Sequence, residues 1–159
     1  TAISSFTNSG TKSYSLSDSG AYLVAAAAAV VHGASSVTAT DALVADIPTL
    51  KGELALPATP FAYSLSDTSA HLLAAPAATV VAGALLGVTA TNTLVADVTT
   101  LAGKLAAGVP LYYSLSDNAT NLVNAATAVS TSGTHALHEL NVSVTTPISV
   151  ANVATCASR

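Results

Sequence analysis

Short stretches in which apolar and polar residues alternate return along this chain at nearly constant intervals. Three of them read Tyr14-Ser15-Leu16-Ser17-Asp18, Tyr63-Ser64-Leu65-Ser66-Asp67 and Tyr113-Ser114-Leu115-Ser116-Asp117, spaced 49 and 50 residues apart. Between them lie Val37-Thr38-Ala39-Thr40-Asp41 and Val88-Thr89-Ala90-Thr91-Asn92, and a sixth copy, Val142-Ser143-Val144-Thr145-Thr146, follows. Alternation with a period of two marks a half-buried strand, because successive side chains point to opposite faces. Six short strands are predicted, with ends at 18, 41, 67, 92, 117 and 146. Long repeats at about 14–62, 63–112 and 113–159 therefore each hold two half-repeats of about 25 residues, within one repeat domain spanning 1–159.

The segments between the strands are of two kinds. After each Tyr-type strand comes a stretch such as Ala21-Tyr22-Leu23-Val24-Ala25-Ala26, rich in strong helix formers and free of turn residues. Pro76 should kink or divide the second of these helices. After the Val-type strands come Leu43-Val44-Ala45-Asp46 and Leu94-Val95-Ala96-Asp97, which read as brief helical turns, with Gly52 and Gly103 placed as helix stops. Strand, helix and parallel strand at a fixed step give a right-handed crossover repeated along an axis. The expected fold is an α/β right-handed solenoid of about six coils, laid out like a leucine-rich repeat, with one parallel sheet on one face and helices on the other. An all-β helix is the competing architecture, opposed by the poor strand propensity of alanine.

Composition narrows the choice of function. Half of the 159 residues are apolar but only 8% are charged, and the core residues are mostly alanine and valine, which require closely spaced layers. The net charge is −4, and the four basic residues, Lys12, Lys51, Lys104 and Arg159, lie far apart in sequence. Nucleic acid and anionic membranes are therefore not expected partners, since both need clustered positive charge. The longest apolar run, Ala21 to Val31, is about half of what a bilayer requires, so membrane insertion is not expected either. No basic segment precedes it, as a signal peptide would need. A chain that opens on Thr1 is expected to be a processed protein or an excised part of a longer one. The single cysteine, Cys156, cannot form an internal disulfide; it is either a free thiol or a link between copies.

Two sets of residues are candidates for a site. Asp18, Asp41, Asp67, Asn92 and Asp117 each end a strand just before a helical stretch, where a short acceptor can cap the free N–H groups of the helix. Stacked coils would hold these side chains about 4.8 Å apart, where like charges repel by roughly 1 kcal/mol even in water. A Ca²⁺ ion could relieve that repulsion, but one ligand per coil falls short of a calcium shell, and no cofactor or metal site is expected. The second set is the outward side of the sheet. If Tyr14 and Leu16 point inward, Ser15 and Ser17 point outward, and the same parity exposes Thr38, Thr40, Ser64, Ser66, Thr89, Thr91, Ser114, Ser116, Ser143 and Thr145. Two uncharged hydroxyl ranks should result.

Catalytic motifs are missing. No Gly-x-Ser-x-Gly, glycine-rich phosphate loop or paired-cysteine site occurs, so the chain is not expected to be an enzyme. His135 and His138 stand at helical i, i+3 spacing but lack the zinc-protease pattern, and a solvated loop or helix end is the plainer reading. Asn118-Ala119-Thr120 and Asn141-Val142-Ser143 fit the N-glycosylation pattern.

The Tyr-Ser-Leu-Ser-Asp unit, with Thr68-Ser69-Ala70-His71-Leu72-Leu73-Ala74-Ala75-Pro76-Ala77 and Val88-Thr89-Ala90-Thr91-Asn92 after it, resembles the degenerate tandem repeats of large bacterial secreted and surface proteins. That resemblance covers residues 14 to about 146, departs from the pattern at Asp18-Ser19-Gly20 and from Ser132 onward, and implies an extracellular role in adhesion, surface layers or filaments. Self-association through the unpaired end strands is the expected partnership. The hydroxyl ranks resemble the Thr-x-Thr surface of β-solenoid ice-binding proteins, and ice binding is the alternative function.

Overall fold

The computed structural model describes residues 13–54, 59–124 and 137–146. Its six strands are β1 (Ser15–Ser19), β2 (Ser36–Ala42), β3 (Phe61–Thr68), β4 (Val88–Thr93), β5 (Leu111–Asp117) and β6 (Leu137–Val144). They form one sheet in sequence order, β1-β2-β3-β4-β5-β6, and every neighbouring pair is parallel. Parallel neighbours require a crossover between them, and the described crossovers carry helices. Helices α1 (Gly20–Ala25) and α2 (Ala28–His32) join β1 to β2, α3 (Asp46–Glu53) joins β2 to β3, α4 (Ser69–Ala74) and a π-helical turn (Ala77–Val81) join β3 to β4, and α5 (Val95–Lys104) joins β4 to β5. A sixth helix, α6 (Ala119–Asn124), follows β5. The Ala-rich stretches are thus helical, and the chain is α/β rather than all-β.

All six predicted strands are present, but their mutual register differs from the motif alignment by two residues. Leu16 is the partner of Val37 and Asp18 of Ala39, so Tyr14 does not face Val37. The same offset brings Ala39 opposite Tyr63, and Ala90 opposite Tyr113. Size explains it. A phenol ring on one strand lies beside a methyl group on the next, so large and small side chains interdigitate at close to crystal density. Leu65, Val88 and Leu111 then form one row across β3, β4 and β5, and all are 0–1% exposed. They pack in a single cluster with helix residues that include Leu23, Ile47, Leu50, Leu72 and Leu101.

Strands β2 and β4, which carry the Val-type motif, each have a bulge. Between Ala39 and Ala42, and again between Ala90 and Thr93, three steps on the Val-type strand span two on its Tyr-type neighbour. The extra residues are Asp41 and Asn92, at φ 48° and 52°. Left-handed backbone is poorly tolerated by side chains other than those of Asn and Asp. Asp and Asn therefore end the Val-type motif for the sake of the backbone, and not, as expected, to cap a helix.

The connections differ from expectation in three further ways. Helix α3 and helix α5 run through Gly52 and Gly103, which lie inside helices instead of stopping them. The helix after β3 is divided at Pro76 as predicted, but the helix after β1 is divided at Ala26 and Ala27 with no proline present. In addition, β6 begins at Leu137 rather than Val142, so His138 is a strand residue and not part of a helix; His135 lies outside the described residues.

A shared contact accounts for the two divided helices. Tyr14 donates its hydroxyl to the Val30 carbonyl at 2.7 Å, and Tyr63 donates to the Val80 carbonyl at 2.7 Å. Burial pushes the Tyr63 phenol above its ordinary range, which keeps it a donor. Each hydroxyl occupies a notch left by a glycine: a Cβ on Gly33 would fall 2.5 Å from Tyr14 Oη, and one on Gly83 would approach Tyr63 Oη more closely still. A straight helix continuing α1 or α4 would carry these carbonyls away from the ring, so the second helical piece must turn back toward the sheet.

These glycines should respond in opposite senses to substitution. Gly83→Ala is expected to cost about 2–3 kcal/mol, because it displaces a buried hydroxyl from its acceptor. Gly103→Ala, where a Cβ meets nothing within 4 Å, is expected to raise stability by about 0.5–1 kcal/mol through helix propensity. Urea unfolding of the two variants reads the difference directly.

Candidate functional site

The strand-end acceptors fall into two structural classes. Asp18, Asp67 and Asp117 close the Tyr-type strands, whereas Asp41 and Asn92 are the bulge residues. Asp18 and Asp67 sit one residue ahead of the helix caps they were expected to be. The N-cap of α1 is Ser19, whose hydroxyl accepts from Tyr22 N, and that of α4 is Thr68, whose hydroxyl accepts from His71 N. Before α6, the Asn118 side-chain carbonyl accepts from Asn121 N at 2.9 Å.

The carboxylates do something else. Asp67 Oδ1 accepts from Thr68 N at 2.7 Å, and its Oδ2 accepts from Val44 N, in the preceding connection, at 3.0 Å. Asp117 repeats the arrangement, with Asn118 N at 2.7 Å on Oδ1 and Val95 N at 3.1 Å on Oδ2. Each carboxylate thus ties its own strand end to the start of the connection one strand earlier. His71 Nδ1 lies 2.7 Å from Asp67 Oδ1, and Asn121 Nδ2 donates to Asp117 Oδ1 at 2.9 Å. The residues at these two corresponding helix positions serve the carboxylate in the same way. Burial alone favours the neutral form of Asp67 and Asp117, but these hydrogen bonds outweigh it. Both carboxyls end below the usual carboxylate range, Asp67 through His71, Thr68 and Val44, and Asp117 through Asn121, Val95 and Asn118.

A continuous carboxylate ladder is not built. Asp18 has Ala39 as its partner and Ala39 has Tyr63, while Asp67 has Ala90 and Ala90 has Tyr113, so neither Asp18 nor Asp67 has another carboxylate in its row of the sheet. Among the described residues no group of three or more His, Cys, Asp or Glu side chains could hold a metal ion. His138 instead stacks on Tyr112, with ring centroids 4.8 Å apart at 18°.

In β1 to β5 the hydroxyl residues lie on the less buried side of the sheet, whereas residues 141 to 146, in β6 and just after it, are all exposed. Ser15, Ser17, Thr40, Thr91, Ser143 and Thr145 are exposed, and Thr38, Ser64, Ser66, Thr89, Ser114 and Ser116 are partly so. The ranks are nonetheless broken. Because of the two-residue offset, Ser17 stands beside Thr38 and Ser66 beside Thr89, but the next residues across are Ala62 and Tyr112. Ser64 is also drawn to the backbone, accepting from Asp41 N at 2.9 Å. The Tyr112–His138 stack also stands on this face, and serine takes the place of threonine on β1, β3 and β5. The arrangement keeps a parallel sheet hydrated without charge.

Sequence reasoning missed the glycine notches and the lysine at the end of α4, where Lys104 Nζ donates to the carbonyls of Leu72, Leu73 and Ala75. An ammonium among the last carbonyls of a helix offsets its dipole. The notch did leave a trace: Gly33, Gly83 and Gly133 follow Tyr14, Tyr63 and Tyr113 by 19, 20 and 20 residues, although Gly133 lies outside the described residues. No protein-family model, curated protein or solved structure matches the chain. Among the described residues no helix is long and apolar enough to cross a membrane.

Carboxylates whose folded pKa lies below the unfolded value of about 3.9 contribute stability above that pH, and lose it as the pH falls through the depressed value. Unfolding free energy should therefore drop below about pH 4. The double variant Asp67→Asn, Asp117→Asn is expected to lose most of this acid dependence. At pH 7, Asp117→Ala should cost about 2–3 kcal/mol, because Val95 and Asn118 lose a charged acceptor. Denaturant titrations at stepped pH measure both.

Proposed function

We propose that this chain is a structural repeat segment whose strand–helix units wind as a right-handed solenoid and stack, copy on copy, into an extracellular filament or surface layer. The observation that carries the proposal is the back-reaching carboxylate, Asp67 to Val44 and Asp117 to Val95, which joins the second and the third long repeat to the unit before it by the same bond. A module that binds its predecessor in this way can be continued indefinitely. Nearest-neighbour contacts then carry the stability, as in other repeat architectures.

The strict sequence order of the parallel strands supports the same reading, because among the described residues it leaves β1 and β6 as the outer strands of the sheet. An open parallel edge presents unpaired N–H and C=O groups to another chain. The low charge and hydroxyl-rich outer face suit a surface that contacts water over a long assembly, and the resemblance to bacterial surface repeats supports a location outside the cell. Adhesion through the exposed hydroxyl face is compatible with this role and needs no catalytic group.

Purified protein concentrated at neutral pH is expected to form elongated particles of uniform width in negative-stain electron microscopy, with a sedimentation coefficient that rises with concentration. Dispersed particles of monomer size at millimolar concentration would sink the proposal.

A further inference from the structure

The bonds that join one long repeat to the coil before it have an unused counterpart at the start of the sheet. In β3, Asp67 Oδ2 takes the Val44 N–H and Ser64 Oγ takes the Asp41 N–H, both from the preceding Val-type coil. Asp18 and Ser15 hold the same places in β1, where Ser15 Oγ already accepts from Ser36 Oγ at 2.7 Å, so that the unused bond is that of Asp18. Asp18 Oδ1 accepts from Ser19 N at 2.8 Å, as Asp67 Oδ1 does from Thr68 N, but among the described residues no donor reaches Asp18 Oδ2. Its side chain is exposed, whereas those of Asp67 and Asp117 are nearly covered, in Asp67 to 8% exposure.

The other outer strand is of the complementary type. Leu115, Ser116 and Asp117 pair with Val142, Ser143 and Val144 as Leu16, Ser17 and Asp18 pair with Val37, Thr38 and Ala39. By this correspondence β6 is a Val-type strand, and in the interior a Tyr-type strand follows each Val-type strand. Val142 and Val144, at inward positions, remain 41% and 39% exposed. The sheet thus opens on an edge that accepts a Val-type coil and ends on one that offers it.

We propose that the β1 edge of one copy pairs, in parallel, with the β6 edge of a second copy, and that Asp18 binds the partner's backbone there as Asp67 and Asp117 bind within the chain. The proposal rests on the stacking role proposed above and gives it a direction and a register. Interior pairs fix the register: Thr38 lies opposite Ala62 and Ala39 opposite Tyr63. Carried over, Ser143 of one copy lies opposite Ser13 of the next, and Val144, larger than the Ala39 and Ala90 of the interior pairs, opposite Tyr14. Contacts of this head-to-tail kind do not close on themselves unless a ring forms, so they propagate.

The test uses the full chain with Cys156→Ser, combining Ser13→Cys with Ser143→Cys, and an off-register control combining Ser17→Cys with Ser143→Cys. Partner Cα atoms on adjacent strands are close enough for a disulfide, and a four-residue slip is not. Mild oxidation should give a ladder of dimers, trimers and higher species on non-reducing gels for the first pair only. In the uncrosslinked protein, Asp18→Asn should raise the concentration needed for assembly about tenfold, as expected from losing one hydrogen bond to a charged group, while leaving monomer thermal unfolding unchanged. If the protein assembles but the Ser13/Ser143 pair crosslinks no better than the control and Asp18→Asn assembles like the parent, the β1–β6 contact is wrong and the filament stands on another surface. If the parent stays monomeric at every concentration and neither pair crosslinks, both proposals fall, and Asp18 serves only its own helix.

Discussion

Room for one tyrosine ring governs most of what is distinctive in this chain. The ring of Tyr63 needs a small neighbour on β2, a glycine beneath its hydroxyl, and a carbonyl within hydrogen-bonding reach, and Ala39, Gly83 and Val80 supply them. Tyr14 makes the same demands on Gly33 and Val30. Meeting them sets the two-residue offset between strands. The helical return must also break into two pieces, so that its second piece comes down onto the sheet. Leucines from the sheet and the helices, Leu65, Leu72, Leu101 and Leu111 among them, fill the layer beside the rings.

A second set of bonds runs along the stack instead of through it. Asp67 and Asp117 are buried carboxylates satisfied almost entirely by backbone and by neighbouring polar side chains, including N–H groups from the connection one strand earlier. Buried charge is costly unless it is hydrogen-bonded on all sides, and here the bonding is complete enough to depress both pKa values. Cohesion between repeats is therefore charged and directional, although the composition is poor in charge. Two of the eight acidic residues, Asp67 and Asp117, make these bonds.

How much of this could be read from the letters depends on the range of the interaction. The strands, their parity and the helical nature of the alanine-rich stretches follow from local alternation and propensity, and Tyr14, Leu16, Ser15 and Ser17 could be assigned to faces directly. The register could not, because it depends on the fit of Tyr63 against Ala39, residues 24 positions apart that look equivalent to other pairings in a motif alignment. The same ambiguity hid the bulges. Asp41 and Asp67 look alike as letters ending similar motifs, yet one relaxes a left-handed backbone and the other binds a neighbouring coil. Gly52 and Gly83 show the converse: both are small residues near helices, and only the tertiary position of a tyrosine hydroxyl makes the second indispensable. The break at Ala26 and Ala27 lacks even a proline to announce it.

The pairing of a phenol ring with a methyl group across adjacent strands also limits how such a chain can change its length over generations. Deleting or duplicating a single coil would bring two tyrosine-bearing strands side by side, with no alanine gap for either ring, or would set two bulged strands against each other with neither ring nor hydroxyl to meet them. Gain or loss of coils by unequal recombination can therefore preserve the packing only in even numbers. The heritable unit of growth is the pair, and copy number in any longer array of this kind should vary in steps of about fifty residues.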